Sequence, residues 1–130
     1  MKVAISSSGK KVESDLDPRF GRAAYFLIVD TDTLGLEVKE NIQNLNLPQG
    51  AGIQAAKSVA DCGVGAVLTG NCGPKAFKVL QAAGINVVTG LQGTVKEAVE
   101  KFKTDALEFS QEPNVEGQNW VAPEKLLLPG

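Results

Sequence analysis

Ala66-Val67-Leu68-Thr69-Gly70-Asn71-Cys72-Gly73-Pro74 is the stretch that decides the fold. Its apolar opening reads as a short strand covered on both faces. The glycines then turn the chain, and Pro74 suits the first turn of a helix, where a missing N–H costs nothing. Phe77, Leu80 and Ala83 recur at helical spacing to form a buried side, and Gly84 stops the helix. Ile85-Asn86-Val87-Val88 follows as another strand. Strand, helix and strand in that order predict a right-handed parallel crossover from Ala66 to Val88.

Working outward, Lys2-Val3-Ala4-Ile5-Ser6 reads as a first strand that runs into Ser7-Ser8-Gly9-Lys10. Tyr25-Phe26-Leu27-Ile28-Val29 is aromatic and β-branched, with Asp30 to close it. Thr31-Asp32-Thr33-Leu34-Gly35 is turn chemistry, and Leu36-Glu37-Val38-Lys39 alternates like a half-exposed strand. The pair predicts an antiparallel hairpin whose edge strand carries charges against sheet-to-sheet aggregation. After the loop from Asn41 to Gly52, Ile53, Ala56 and Ala60 share one helical face, and Gly63 stands where a cap belongs. Thr94-Val95-Lys96-Glu97 is a capping box opening a last helix that buries Val95, Ala98, Val99 and Phe102. The order is β-β-β-α-β-α-β-α, an α/β domain over residues 1–109. From Ser110 to Gly130 the composition turns polar, with Pro113, Pro123 and Pro129, and predicts a loosely ordered tail around Trp120 and Leu126-Leu127-Leu128.

At 130 residues the chain is one domain. A net charge of -2 gives no electrostatic case for nucleic acid or an anionic membrane. No apolar run is long enough to span a bilayer, and Met1-Lys2-Val3-Ala4-Ile5 lacks signal-peptide anatomy, so the expected compartment is the cytoplasm. There Cys62 and Cys72 are expected as free thiols, with a strand between them too long for a disulfide. Histidine is absent. That excludes Ser-His-Asp and Cys-His catalysis and any zinc site built on imidazole.

In open α/β sheets the ligand crevice lies beyond the carboxyl ends of the strands, at a topological switch point. Three strand ends are Gly-rich: Ser6 to Lys10, Thr69 to Pro74, and Thr89 to Thr94, which includes Gly90. Helices opening at Pro74 and Thr94 add N–H groups and a positive dipole end. Lys10, Arg19, Arg22 and Lys75 are candidate charges for the anion cradle this predicts. Cys72, at a helix start, is expected to have a lowered thiol pKa, which suits a nucleophile, a redox sensor or a soft-metal ligand. Cys62 reads as structural.

Sharper motifs fail. Gly9-Lys10 lacks the first Gly of a phosphate-binding loop and is followed by Lys11 where Ser or Thr is required. No Gly-x-Gly-x-x-Gly follows a strand, so no nucleotide is expected. Asp15, Asp17, Asp30 and Asp32 are the dense carboxylates, and they read as loop and turn groups satisfying backbone.

Met1 to Gly9, Asp17-Pro18-Arg19-Phe20-Gly21-Arg22-Ala23, Tyr25 to Asp30, Gly50-Ala51-Gly52, Gly70-Asn71-Cys72-Gly73-Pro74 and Gly93-Thr94-Val95 together resemble the dinitrogenase iron-molybdenum cofactor biosynthesis family. The resemblance implies a three-layer α/β/α, ribonuclease-H-like fold with a five-stranded mixed sheet in order 3-2-1-4-5, strand 2 antiparallel. It also implies binding, carriage or assembly of an anionic metal–sulfur cluster, of molybdenum–copper sulfide or iron–molybdenum type, with cluster donor or acceptor proteins as partners. Leu47-Pro48-Gln49-Gly50 stands where many relatives carry His, so Cys72 is the obvious thiolate ligand that remains. Val3-Ala4-Ile5 offers none of the carboxylates that the fold's nucleases need.

The leading expectation is a non-catalytic cluster carrier. Its site would be Ser7, Ser8, Gly9, Lys10, Arg19, Arg22, Asn71, Cys72, Gly73 and Gly90, with Cys72 as the metal ligand. Two other readings stand beside it: a small enzyme or redox sensor acting through a Cys72 thiolate, and a protein-interaction module that uses the tail.

Overall fold

The computed structural model describes residues 1–44, 47, 49–104, 109–110 and 113. Strands β1 (Lys2–Ser7), β2 (Tyr25–Asp30), β3 (Leu36–Glu40), β4 (Ala66–Leu68) and β5 (Asn86–Val88) form one sheet in the order β3-β2-β1-β4-β5. β2 runs antiparallel to both β1 and β3, with Val3 opposite Val29 and Leu27 opposite Val38. β4 pairs parallel with β1 and with β5. The order, the antiparallel hairpin and the parallel crossover are those predicted. The order reverses between β1 and β4, the switch point.

Alternation along the strands divides the core in two. Ala4, Phe26, Ile28, Val67 and Val87 point to the face covered by α1 (Ala51–Ala60) and α2 (Pro74–Ala82). Val3, Ile5, Leu27, Val29, Leu68 and Val88 point to the other face, where α3 (Val95–Lys103) brings Val95, Ala98 and Val99. The capping box is present: Thr94 Oγ1 accepts from the Glu97 amide at 3.1 Å, and the Glu97 carboxylate accepts from the Thr94 amide at 2.8 Å.

Four local expectations are corrected. The buried face of α1 is Ala51, Ala55, Ala56 and Val59, so Ile53 and Ala60 are only half-buried. Ala56 is the common member, and the neighbouring α2 claims a stripe one position round the helix. Ala83 is exposed, because α2 closes on it as a C-cap and Gly84 turns with φ 77. Phe102 is half-buried, against Phe109. The apolar residues of β3 are not sheltered: Leu36 is 46% and Val38 37% exposed. α3 covers the middle of its sheet face and leaves this edge bare.

Ser110 donates its amide to Val87 O at 2.6 Å and shares a hydroxyl bond of 2.8 Å with Thr89. The expectations for Trp120 and Leu126-Leu127-Leu128 lie outside the described residues.

The segment between β1 and β2 is laced across the carboxyl ends of the parallel strands by main-chain bonds. Ser8 N–H reaches Asp15 O, Asp17 N–H reaches Ser6 O, Leu16 N–H reaches Gly93 O and Phe20 N–H reaches Asn71 O, all between 2.8 and 3.1 Å. In return Asn71 N–H donates to Pro18 O at 2.6 Å, Val95 N–H to Ser14 O at 3.0 Å and Lys96 N–H to Val12 O at 2.8 Å. Residues 12–20 therefore form a strap over the switch point.

Candidate functional site

The strap determines where a ligand can sit. The three Gly-rich strand ends do converge, but on one another and on the strap: Gly90 N–H donates to Gly70 O at 2.7 Å and Leu91 N–H to Thr69 O at 3.2 Å. The first-turn amides of α3 are also committed, to Ser14 O, Val12 O and Thr94 Oγ1. This corrects the expected anion cradle at that helix opening. Gly70 allows the close approach, since a Cβ there would stand 2.7 Å from Pro18 Cα.

The open space lies beside the strap, on the β2 side. Ser8, Asp17, Arg19, Arg22 and Ala24 line a cavity of about 300 Å³. Ser8 is exposed, and its hydroxyl donates to Asp15 O at 3.0 Å. Asp17 is largely buried and accepts the Arg19 amide at 2.9 Å and the Arg19 Nε at 3.3 Å from one oxygen. That turn steers the Arg19 guanidinium, whose side chain is 66% exposed. Arg22 is half-buried and donates to Leu47 O at 2.9 Å. Two guanidiniums against one carboxylate leave the cavity wall with net positive charge. Lys10 sits 5.6 Å from the centroid of the Tyr25 ring, at the start of β2, which holds a third cation close to the same strand ends.

Sequence reasoning did not single out what fixes the Phe20-Gly21-Arg22-Ala23 corner. Asn41 is fully buried and donates its amide to Ala23 O at 2.7 Å and to Gly21 O at 3.3 Å. Asn44 donates to Asn41 Oδ1 at 2.6 Å and completes the clasp. Gly21 packs on the backbone of Gly52, where a Cβ would meet Gly52 Cα at 2.8 Å. An Asn in an Asn-rich loop carries no signal that it will be buried.

The remaining predicted residues shape the loops. Ser7 is buried, and its hydroxyl donates to Gly9 O at 2.7 Å, which closes the turn. Asn71 is exposed and bridges to Arg19 through its backbone. Gly73 caps α2, and Gly90 turns with φ 80. Cys72 is wholly buried in the core under α1 and α2, with its thiol 3.8 Å from Gly73 O. Burial pushes its pKa up to about 12. The expected lowering is therefore reversed: loss of water outweighs the helix opening. Burial likewise raises the thiol of Cys62, and the two cysteines are not joined in a disulfide. Among the described residues no three His, Cys, Asp or Glu side chains gather where they could hold a metal ion.

The chain belongs to the dinitrogenase iron-molybdenum cofactor family, whose model matches residues 1–105. The chain is similar to the orange protein of Desulfovibrio gigas, whose apo structure shares 44% identity at a TM-score of 0.85 over 87% of this chain and 95% of that one. A Thermotoga protein solved by NMR is 39% identical, with a TM-score of 0.73 over 83% of this chain and 91% of that one. A protein of Methanocaldococcus jannaschii described as uncharacterized is 33% identical over 83% of this chain and 90% of its own length. No helix among the described residues is long and apolar enough to cross a membrane.

Proposed function

We propose that this protein binds and carries an anionic metal–sulfur cluster, of molybdenum–copper sulfide or iron–molybdenum type, without transforming it. The observation that carries the reading is the convergence of Arg19 and Arg22 with Ser8 on one open cavity, with Lys10 held over Tyr25 at the start of β2, in a chain of this family. A cluster that brings its own sulfides needs charge and hydrogen-bond donors from the protein rather than a set of ligating side chains. Guanidiniums supply both, as fixed forks of N–H donors. The chain has no histidine to offer, and its Cys72 thiol is packed in the core. Cluster donor and acceptor proteins in the cytoplasm are the partners this reading requires, with no role for nucleic acid or membrane.

The test mixes the purified apo-protein with tetrathiomolybdate and copper, removes unbound metal by desalting, and measures visible absorption and metal content. Colour and metal that stay with the chain support the reading; their complete loss overturns it. A Cys72→Ser variant separates two ways of holding. Retention of the cluster shows electrostatic holding, and its loss from a folded variant shows thiolate ligation.

A further inference from the structure

We infer that the open edge of β3 is an isologous interface for a second copy of this chain, paired antiparallel about Val38. β3 is an edge strand of the sheet. Asp30 N–H donates to Gly35 O and Asn41 N–H to Ala24 O, so odd-numbered residues of this hairpin arm turn their main-chain groups toward β2. The alternation of an antiparallel ladder then leaves those of Leu36, Val38 and Glu40 on the outer edge. Glu40 O accepts there from the exposed Gln43 amide at 3.3 Å, a bond that a partner strand would replace.

Apolar surface gathers on this edge. Among the described residues the exposed large hydrophobics are Met1, Leu34, Leu36, Val38, Ile42 and Phe109, and four of these lie in β3 or at its ends. Leu34 also holds a φ of 63, a left-handed conformation that a branched side chain rarely takes. It forms one wall of an apolar groove of about 250 Å³, together with Leu36, Val29, Val12 and Val99.

The charges select the occupant and the register. Residues directly opposite in an antiparallel pair face the same side, so a two-fold at Val38 sets Val38 against its own copy. Glu37 then faces Lys39 of the partner subunit, Lys39 faces Glu37, and both ion pairs form at once. Leu36 falls beside Glu40, and Leu34 is brought toward Ile42. A slip of two residues either way puts Glu37 on Glu37 or Lys39 on Lys39. The charges that block general edge pairing therefore favour this register over its nearest slips, and in it the strand is complementary to its own copy.

A single edge pairing is a small interface, so association is expected to depend on concentration. Sedimentation equilibrium of the full chain, from micromolar to near-millimolar concentration, should show monomer and dimer in exchange. Glu37→Lys or Lys39→Glu alone turns both pairs repulsive and should weaken the dimer about tenfold or more. An equal mixture of these two variants should associate as a heterodimer, since every facing pair is again opposite. The double variant Glu37→Lys/Lys39→Glu should match the wild type. A wild-type chain that stays monomeric throughout overturns the inference. So does a dimer indifferent to the single substitutions, or a mixture that fails to associate.

Discussion

Ser6 and Thr69, at the carboxyl ends of neighbouring strands, bring their hydroxyl oxygens to 2.8 Å, and both residues are fully buried. The Ser6 hydroxyl also donates to Asp17 O at 2.7 Å. A hydroxyl has one proton to give, so the proton between the two side chains comes from Thr69. This pair joins β1 to β4 at the switch point and pins the strap above them.

Removing Ser6 leaves two buried groups unsatisfied, whereas replacing Thr69 with Val leaves one. Ser6→Ala is expected to cost about 1–3 kcal/mol and Thr69→Val less, by equilibrium urea unfolding. Equal effects would show that the Asp17 carbonyl finds another donor.

Glycine positions divide by what a Cβ would strike. At Gly21 it would meet the Gly52 backbone at 2.8 and 2.9 Å, which cannot move alone; at Gly65 it would meet the flexible end of Met1. Gly21→Ala should lose about 1–3 kcal/mol and disturb the Arg22 corner. Gly65→Ala should change stability by less than about 0.5 kcal/mol, read from the same unfolding curves.

The Cys72 thiol gives a signature at alkaline pH. Its folded pKa of about 12 lies above the ordinary value of 9.0. Above about pH 9 the unfolded chain releases this proton while the folded chain keeps it. Stability therefore falls between about pH 9 and 12, by at most about 1.4 kcal/mol per pH unit. Subtracting the Cys72→Ala profile from the wild type should isolate that slope. With iodoacetamide at pH 8, Cys72 should be modified only on unfolding, as mass spectrometry of the labelled peptides will show.

The two arginines should separate under substitution. Arg19 is mostly exposed, so Arg19→Gln should leave stability within about 1 kcal/mol while lowering retention of thiomolybdate–copper cargo. Arg22 also ties down Leu47 O, so Arg22→Gln should lower both retention and stability. Retention by the wild type should fall with added salt, because the screening length shrinks from about 10 Å at 0.1 M to about 3 Å at 1 M. Salt-independent retention would remove the electrostatic account.

What the chain reveals locally was legible. Tyr25 to Asp30 is an aromatic and β-branched run closed by Asp30, Pro74 and Gly84 bracket a helix, and Thr94 with Glu97 caps another, each a signal within a few residues. The strap was not, because it is sewn by main-chain groups that every residue carries, between positions some fifty to eighty apart such as Phe20–Asn71 and Val12–Lys96. Arg19 and Arg22 were named as candidate charges from their motif, and the structure brings both to one cavity. The direction of the Cys72 shift was missed because its place in the chain shows the helix opening but not the burial.

The strap has a consequence in time. Its stitches run to Asn71, Gly93, Val95 and Lys96, so a chain still being synthesised cannot anchor the strap that carries Asp17 and Arg19 until those residues have left the ribosome. A nascent N-terminal half would have the Asn41 clasp for the Arg22 corner, while the strap bearing Arg19 lacked its anchors at Asn71 and Gly93. On the cluster-carrying reading proposed above, loading waits for the completed domain.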